Sequence, residues 1–136
     1  MKSAGKSRFS VSVDPELQGA LDDFTARSGF PNRSQALSAL IRGQLSEQLS
    51  LVAEGKASGT VTLVYDHHKR NLCTLLTDIQ HTYSSVISSS LHVHLDHVRC
   101  MEIIAVSGDA AVIRALADRL IATKGVLTGK LALFTF

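Results

Sequence analysis

Two histidines two residues apart, His92 and His94, are followed closely by Cys100 and Glu102. In a strand, alternate side chains share a face and sit about 6.5–7 Å apart along it, so both imidazoles point the same way. A turn through Leu95–Arg99 sets Cys100 opposite His94 and Glu102 opposite His92, all on one face. A loop shorter by one residue sends Cys100 to the other side. Two imidazoles and a thiolate form a borderline-to-soft donor set suited to zinc, copper or nickel. Leu91, Val93 and Leu95 alternate to the opposite face, where helices are expected to cover them, which leaves the donors on a sheet face without helices of its own.

Such a site wants a fourth ligand, and His81 is the candidate. Leu72, Leu75, Leu76 and Ile79 mark the core side of a helix over residues 68–82. At about 100° per residue, His81 falls roughly opposite that stripe. It is badly placed to complete its own chain's site and well placed to complete a neighbour's, so the metal is expected to link subunits. Cys73 lies near the apolar side of the same helix and is expected to be buried. His67 and His68 open the helix and are expected at the surface. Three ligands plus water also describe a catalytic zinc. No second carboxylate set beyond Glu102, nucleophile elbow or glycine-rich phosphate loop accompanies them, so a binding protein is expected rather than an enzyme.

The elements that carry these residues occupy the second part of a chain of 136 residues, 45% hydrophobic and 19% charged. That composition belongs to a packed protein and excludes a disordered one. No apolar run approaches the ~18 residues of a membrane span. The first residues, Met1–Lys6, put no apolar stretch behind their positive charges, so no secretory signal is read. With Cys73 and Cys100 expected as thiols, a cytoplasmic protein follows. The net charge of +2 is unevenly placed: residues 1–46 carry six Lys+Arg against four Asp+Glu, and residues 47–136 carry eight of each. All six histidines fall between His67 and His97. Charge at one end and imidazoles in the middle suggest two tasks.

At the basic end, Arg8–Val13 alternates as a short strand, with Phe9, Val11 and Val13 on one face and Arg8, Ser10 and Ser12 on the other. Asp14-Pro15-Glu16 starts a helix carrying Leu17, Ala20, Leu21 and Phe24, which Gly29 closes. Asn32-Arg33-Ser34-Gln35 starts a second helix, through Leu37, Leu40, Ile41, Leu45 and Leu49. A lone strand on two helices buries too little to fold alone. Pairing with the same strand of a second copy gives an obligate dimer. Its two-stranded ribbon fits the major groove of double-stranded DNA, where Arg8, Ser10 and Ser12 reach base edges. Free N–H groups at Asn32 and Ser34, with Arg33 beside them, suit a phosphate. Ala53–Gly59 reads as a linker. Strands over residues 60–66, 91–95, 101–106 and 127–134 enclose two helices, the second capped by Gly108-Asp109, carrying Ile113, Leu116, Leu120 and Ile121 and closed by Gly125. This β-α-β-β-α-β order is the ferredoxin-like split motif. The fold class is therefore α+β, with residues 1–52 and 60–136 as two domains joined by residues 53–59.

Arg8-x-Ser10-x-Ser12, Gly29-Phe30 and Asn32-Arg33-Ser34 resemble the ribbon-helix-helix DNA-binding domains. Over residues 8–136 the chain resembles the nickel-responsive transcriptional repressor family (NikR), which joins such a domain to an ACT-type regulatory domain. The match rests on Tyr65-Asp66-His67-His68-Lys69-Arg70, Gln80-His81, Leu91-His92-Val93-His94-Leu95 and Cys100-Met101-Glu102. The resemblance implies a homotetramer, a dimer of dimers around an ACT core. It implies one Ni(II) per chain, held in a square plane by His92, His94 and Cys100 with His81 of another subunit. Gln80 and Glu102 would orient those ligands, and Lys69 and Arg70 would touch DNA. The function implied is nickel-dependent repression of metal uptake genes. A regulator of the same design sensing copper, cobalt or zinc, or an ACT regulator sensing a small molecule, is the alternative. At Gln35 and Ala39 this chain lacks two carboxylates with which the family commonly holds a further cation, which puts that cation in doubt here.

Overall fold

The computed structural model describes residues 5–52 and 54–135, without the side chains of residues 49–51. The chain forms two compact units, divided inside a helix between Gln44 and Leu45.

In the first unit the Asp14 carboxylate accepts the Leu17 N–H at 2.9 Å and caps α1 (Pro15–Arg27), with proline in the first turn. Both features satisfy or remove N–H groups that a helix start leaves unpaired. Gly29, at φ 71°, closes α1 in the left-handed conformation, and the Phe30 N–H returns to the Thr25 carbonyl at 3.0 Å. That reversal brings the Phe24 and Phe30 rings to 5.8 Å. Asn32 caps α2 (Arg33–Val52), its Oδ1 accepting the Gln35 N–H at 2.9 Å. Residues 8–13 form no strand within the single chain, because ladder pairing needs a second strand. Burial is sparse: no residue of α1 is buried, and Ala36 is the buried residue of α2 among those described. Phe9 and Val11 are 75% and 65% exposed.

The second unit runs β1 (Lys56–Asp66), α3 (Leu72–Thr82), a 3₁₀ turn (Ser84–Val86), β2 (Ile87–His94), β3 (Arg99–Asp109), α4 (Ala110–Ile121) and β4 (Val126–Phe134). The sheet order is β2-β3-β1-β4, antiparallel throughout. This is the expected β-α-β-β-α-β order. Alternate residues Val61, Leu63 and Tyr65 of β1 and Cys100, Ile104 and Val106 of β3 share one buried cluster with Leu72, Leu76 and Ile79 of α3 and Ile113, Leu116 and Leu120 of α4. Each large aliphatic side chain so buried contributes about 1.5–3 kcal/mol. Asp109 caps α4, accepting from Ala111 and Val112.

Several boundaries differ from the sequence reading. β1 begins at Lys56, so residues 56–59 of the expected linker are strand, with Ala57 buried. Gly59 is there for close approach: a Cβ on it would lie 1.9 Å from the Ala132 carbonyl oxygen across the β1–β4 pairing. α3 begins at Leu72 instead of His68, because Asn71 takes the left-handed φ of 62°, a conformation that does not continue a helix. Its buried stripe is Leu72, Leu76 and Ile79, a narrower one than expected. About 100° per residue places Cys73 off that stripe and Leu75 at its margin. Cys73 is accordingly exposed, not buried, and Leu75 is 46% exposed. β2 carries a bulge: Ile87 pairs with Val106 but Ser89 with Ala105, leaving Ser88 as the extra residue.

Candidate metal centre

β2 and β3 pair His94 with Cys100 and His92 with Glu102, the expected register. Asp96 holds the connecting loop to that length. Its carboxylate accepts the N–H groups of Val98 and Arg99 at 2.9 and 2.7 Å and the Arg99 guanidinium at 2.7 Å. These bonds, the Arg99 backbone N–H foremost, lower the Asp96 pKa to about 2.

The face is the reverse of the expected one. Cys100 and Glu102, each 3% exposed, belong to the row that lies beneath the helices with Ile104 and Val106. The four groups therefore sit on the helix-bearing face. Leu91 and Leu95, 58% and 48% exposed, sit on the open one. Alternation gives the parity of a strand and not its side. α4 packs on β1, β3 and β4 and leaves the edge strand β2 uncovered. His92 and His94 are consequently exposed at the margin while Cys100 lies under cover next to them.

A hydrogen-bond network backs this edge. Tyr65, paired with Cys100 from β1, is 1% exposed and donates its hydroxyl to Glu102 Oε2 at 3.1 Å. The Gln80 amide donates to Glu102 Oε1 at 2.9 Å. The same oxygen is 3.3 Å from His92 Nε2, and Tyr65 Oη is 3.5 Å from His92 Nδ1. One carboxyl group thus gathers α3, β1 and β2. Sequence reasoning found Gln80 and Glu102 and missed Tyr65 as a partner. The signal was there in the pairing of β1 with β3, which periodicity within one strand does not supply. Burial pushes the Tyr65 phenol far above its ordinary range, with Cys100 and Glu102 adding to the effect. Burial likewise pushes the Cys100 thiol up, against the opposing Tyr65 hydrogen bond, with Cys73 and Glu102 adding to the rise. A cation that takes the thiolate must therefore displace a proton.

His81 is exposed on the last turn of α3, next to Gln80. Among the described residues no three or more His, Cys, Asp or Glu side chains converge closely enough to hold an ion. His67 and His68 lie in the turn before α3, their rings 4.3 Å apart, with His67 edge-on to His94 at 5.6 Å. His68 Nε2 meets the His97 carbonyl at 2.8 Å and the His67 N–H meets that of Val98 at 3.0 Å. The second of the pair is exposed as expected. The first is half-buried, with Nδ1 lacking a hydrogen-bond partner among the described residues. Lys69 and Arg70 follow, exposed on the same turn.

In the first unit Arg8, Ser10 and Ser12 are all exposed. Phe9, Val11 and Val13 line an apolar groove with Leu17, Leu21 and Leu37; Arg8 borders the same groove, whereas Ser10 and Ser12 do not. Asn32, Arg33 and Ser34 stand at the start of α2, where the Asn32 side chain occupies the Gln35 N–H. Arg33 is engaged by Asp22 through two guanidinium hydrogen bonds, one of 2.7 Å. That bond is the leading cause of the lowered Asp22 pKa.

Residues 58–134 match the family model described as the NikR C-terminal nickel-binding domain. The chain is 46% identical over 132 residues to a protein of Solibacter usitatus, covering 97% of this chain and 95% of that one. It is also 46% identical to one of Nitratidesulfovibrio vulgaris, covering 94% and 92%, and 42% identical to one of Methanococcus aeolicus, covering 91% and 89%. All three are named as nickel-responsive regulators. Among solved structures, an uncharacterized protein of Thermotoga maritima shares the fold with a TM-score of 0.53 at 17% identity, covering 59% of this chain and 99% of that one.

Proposed function

The chain belongs to the nickel-responsive regulator family, and from that premise we propose that it is a nickel-dependent repressor acting on double-stranded DNA as a homotetramer, a dimer of dimers. It is a nickel-binding transcriptional regulator and not an enzyme. In the proposal, residues 1–52 read DNA, residues 53–59 connect, residues 60–136 bind metal and assemble, and the protein works in the cytoplasm on metal uptake genes.

The observation that carries the proposal is the pairing of His94 with Cys100 beside the pairing of His92 with Glu102. Two imidazoles and a thiol at one sheet margin fit nickel by donor chemistry, and nickel would supply a bridge between chains. His92, His94 and Cys100 hold one ion per chain, and His81 of the partner subunit supplies the fourth donor. Exposure of His81 on its own helix leaves it available for that role. Gln80 and Glu102 orient the donors, since a ligating imidazole ordinarily needs a partner for its second nitrogen.

At the other end, exposed Phe9, Val11 and Val13 support dimerisation through residues 8–13, which would present Arg8, Ser10 and Ser12 twice to the major groove. Asn32 and Ser34 offer α2 N–H groups to a phosphate, with Arg33 beside them. Lys69 and Arg70 add charge to the same DNA. Gln35 and Ala39 provide no carboxylate for a further cation.

Mixing a His81→Ala chain with a Cys100→Ala chain under subunit exchange tests the assembly. Each parent alone has only defective sites. The mixture contains some sites with all four donors, so part of the nickel–thiolate absorption and part of the nickel-dependent DNA binding should return. A mixture that regains neither overturns the shared site.

A further inference from the structure

The two cysteines of the chain, Cys73 and Cys100, are both free thiols. Cys73 is exposed near the start of α3, whereas Cys100 is 3% exposed beneath the helices. Helical phase sets the first toward the second. Cys73 lies seven residues before Gln80, which at about 100° per residue returns to within about 20° of the same direction. Gln80 reaches Glu102 of β3 at 2.9 Å, so the Cys73 side of α3 is the side that faces β3. α3 returns along the sheet from the end of β1, and β3 also runs against β1. Seven helical residues span about 10.5 Å, and Cys100 lies about 7 Å before Glu102 on its strand, which brings Cys73 close to the level of Cys100. Leu72 and Leu76, on either side of Cys73, share the buried cluster of Cys100. The nearness also has an electrostatic trace: behind burial, a charge on Cys73 is among the causes that raise the Cys100 thiol.

We propose that Cys73 is a site of oxidation by hydroperoxides and that Cys100 resolves it as an intrachain disulfide. Exposure decides the order of events: peroxide reaches Cys73, while the cover over Cys100 shields it. The Cys73 thiolate attacks one peroxide oxygen, the O–O bond breaks, and the departing hydroxide takes up a proton and leaves as water. Cys73 is then a sulfenic acid. The Cys100 thiolate attacks the Cys73 sulfur, the S–S bond forms, the S–OH bond breaks, and a second water leaves. Two thiols have lost two electrons and two protons, and one hydrogen peroxide has become two waters. Bonding needs the two Cα atoms within about 4.4–6.8 Å. The first turn of α3 can adjust to that distance, because Asn71 before it makes no side-chain capping bond. The consequence for nickel rests on the reading of Cys100 as a ligand. A sulfur held in a disulfide is no longer the thiolate that binds metal, so peroxide disarms the site and a thiol reductant restores it. Bound nickel in turn keeps Cys100 from Cys73.

Hydrogen peroxide added to the reduced, metal-free full chain tests the pair, with the remaining thiols alkylated and the peptides read by mass spectrometry. The expected product is a Cys73–Cys100 cross-link, two hydrogens lighter than the thiols, in a chain that still runs as a monomer on a denaturing gel without reductant. Nickel added afterwards should give a nickel–thiolate absorption reduced in proportion to the cross-linked fraction, and dithiothreitol should restore it. Cys73→Ser, at an exposed position outside the donor set, should form no cross-link and keep its absorption through the same dose. Sulfinic or sulfonic acid at Cys73 without a cross-link overturns the proposal. So does a cross-link between chains, or a Cys73→Ser chain that loses absorption as fast as the unaltered protein. Preloading with nickel tells the two readings apart. A cross-link that forms as fast with nickel bound as without it overturns Cys100 as the nickel ligand and leaves the thiol pair standing. Nickel bound through Cys100, with no cross-link in the metal-free chain, overturns the pair and leaves the ligand standing.

Discussion

Replacing Glu102 with alanine should cost the metal-free protein stability in an amount set by what it strands. The Tyr65 hydroxyl, on a side chain 1% exposed, loses its acceptor at 3.1 Å. A buried donor left unpaired costs about 1–3 kcal/mol. The one lost methylene adds about 0.8 kcal/mol. Gln80 is only half-buried and turns to water at little cost. Glu102→Ala is therefore expected to lose about 2–4 kcal/mol. Tyr65→Phe alone should lose about 1–3 kcal/mol, because Glu102 Oε2 then lacks the Tyr65 donor. In the double variant nothing is stranded at that contact, so the combined loss should fall short of the sum by about 1–3 kcal/mol. Urea unfolding followed by circular dichroism measures all four proteins, at one fixed chain concentration because assembly contributes to stability. Losses that add to within about 0.5 kcal/mol, the scatter of independent sites, would show that Tyr65 and Glu102 do not act together.

Arg8→Ala should weaken operator binding by about 1–3 kcal/mol per affected base contact while nickel binding is unchanged; equal losses on operator and random DNA in a gel-shift titration would assign Arg8 to phosphate only. Lys69→Ala should lower the slope of log affinity against log salt by about 0.9 for each phosphate contact removed, and an unchanged slope would remove Lys69 from the interface. Asn32→Ala should cost about 0.5–2 kcal/mol by uncapping α2, read as a lower urea midpoint. Asp96 has a pKa depressed from 3.8 to about 2, so its contribution is present above about pH 4 and lost as pH falls toward about 2. The stability gap between the protein and Asp96→Ala should close across that window in urea titrations, and a gap constant with pH would remove the ionised loop clamp.

Helix caps were the most legible feature of the sequence. Asp14, Asn32 and Asp109 act through neighbours a few residues away, and each caps as read. The cross-strand meeting of His94 with Cys100 was legible too, since loop length and the two-residue strand period determine it. Which face of the sheet carries that pair was not. The answer depends on where α3 and α4 lie, and β2 turns its apolar Leu91 and Val93 to the open side and His92 and His94 to the helix side, the reverse of what burial of apolar side chains leads one to expect. The strand expected at residues 8–13 depends on a partner outside the chain. The start of α3 escaped notice because one left-handed residue, Asn71, outweighs a run of otherwise helical spacing. Tyr65 was visible only as part of a motif, and its bonds to Glu102 and toward His92 arise from pairing between distant strands.

The bulge at Ser88 makes one residue of Ser88-Ser89-Ser90 surplus to the alternation of β2. Ile87 packs against the core and pairs with Val106, yet His92, an odd number of residues along, lies on the same face because the extra residue reverses the alternation. Deleting one of these serines would leave the composition of the segment almost unchanged and Ile87 still anchored. It would also leave four residue steps from Ile87 to His92, matching the four from Glu102 to Val106 on β3, so the bulge would heal with His92 and His94 still opposite Glu102 and Cys100. Within this stretch the bulge is a spare residue that evolution can remove without turning the strand over. A single-codon deletion in the gene would be expected to yield a folded protein that keeps the same metal-facing pairing, with a straighter edge strand.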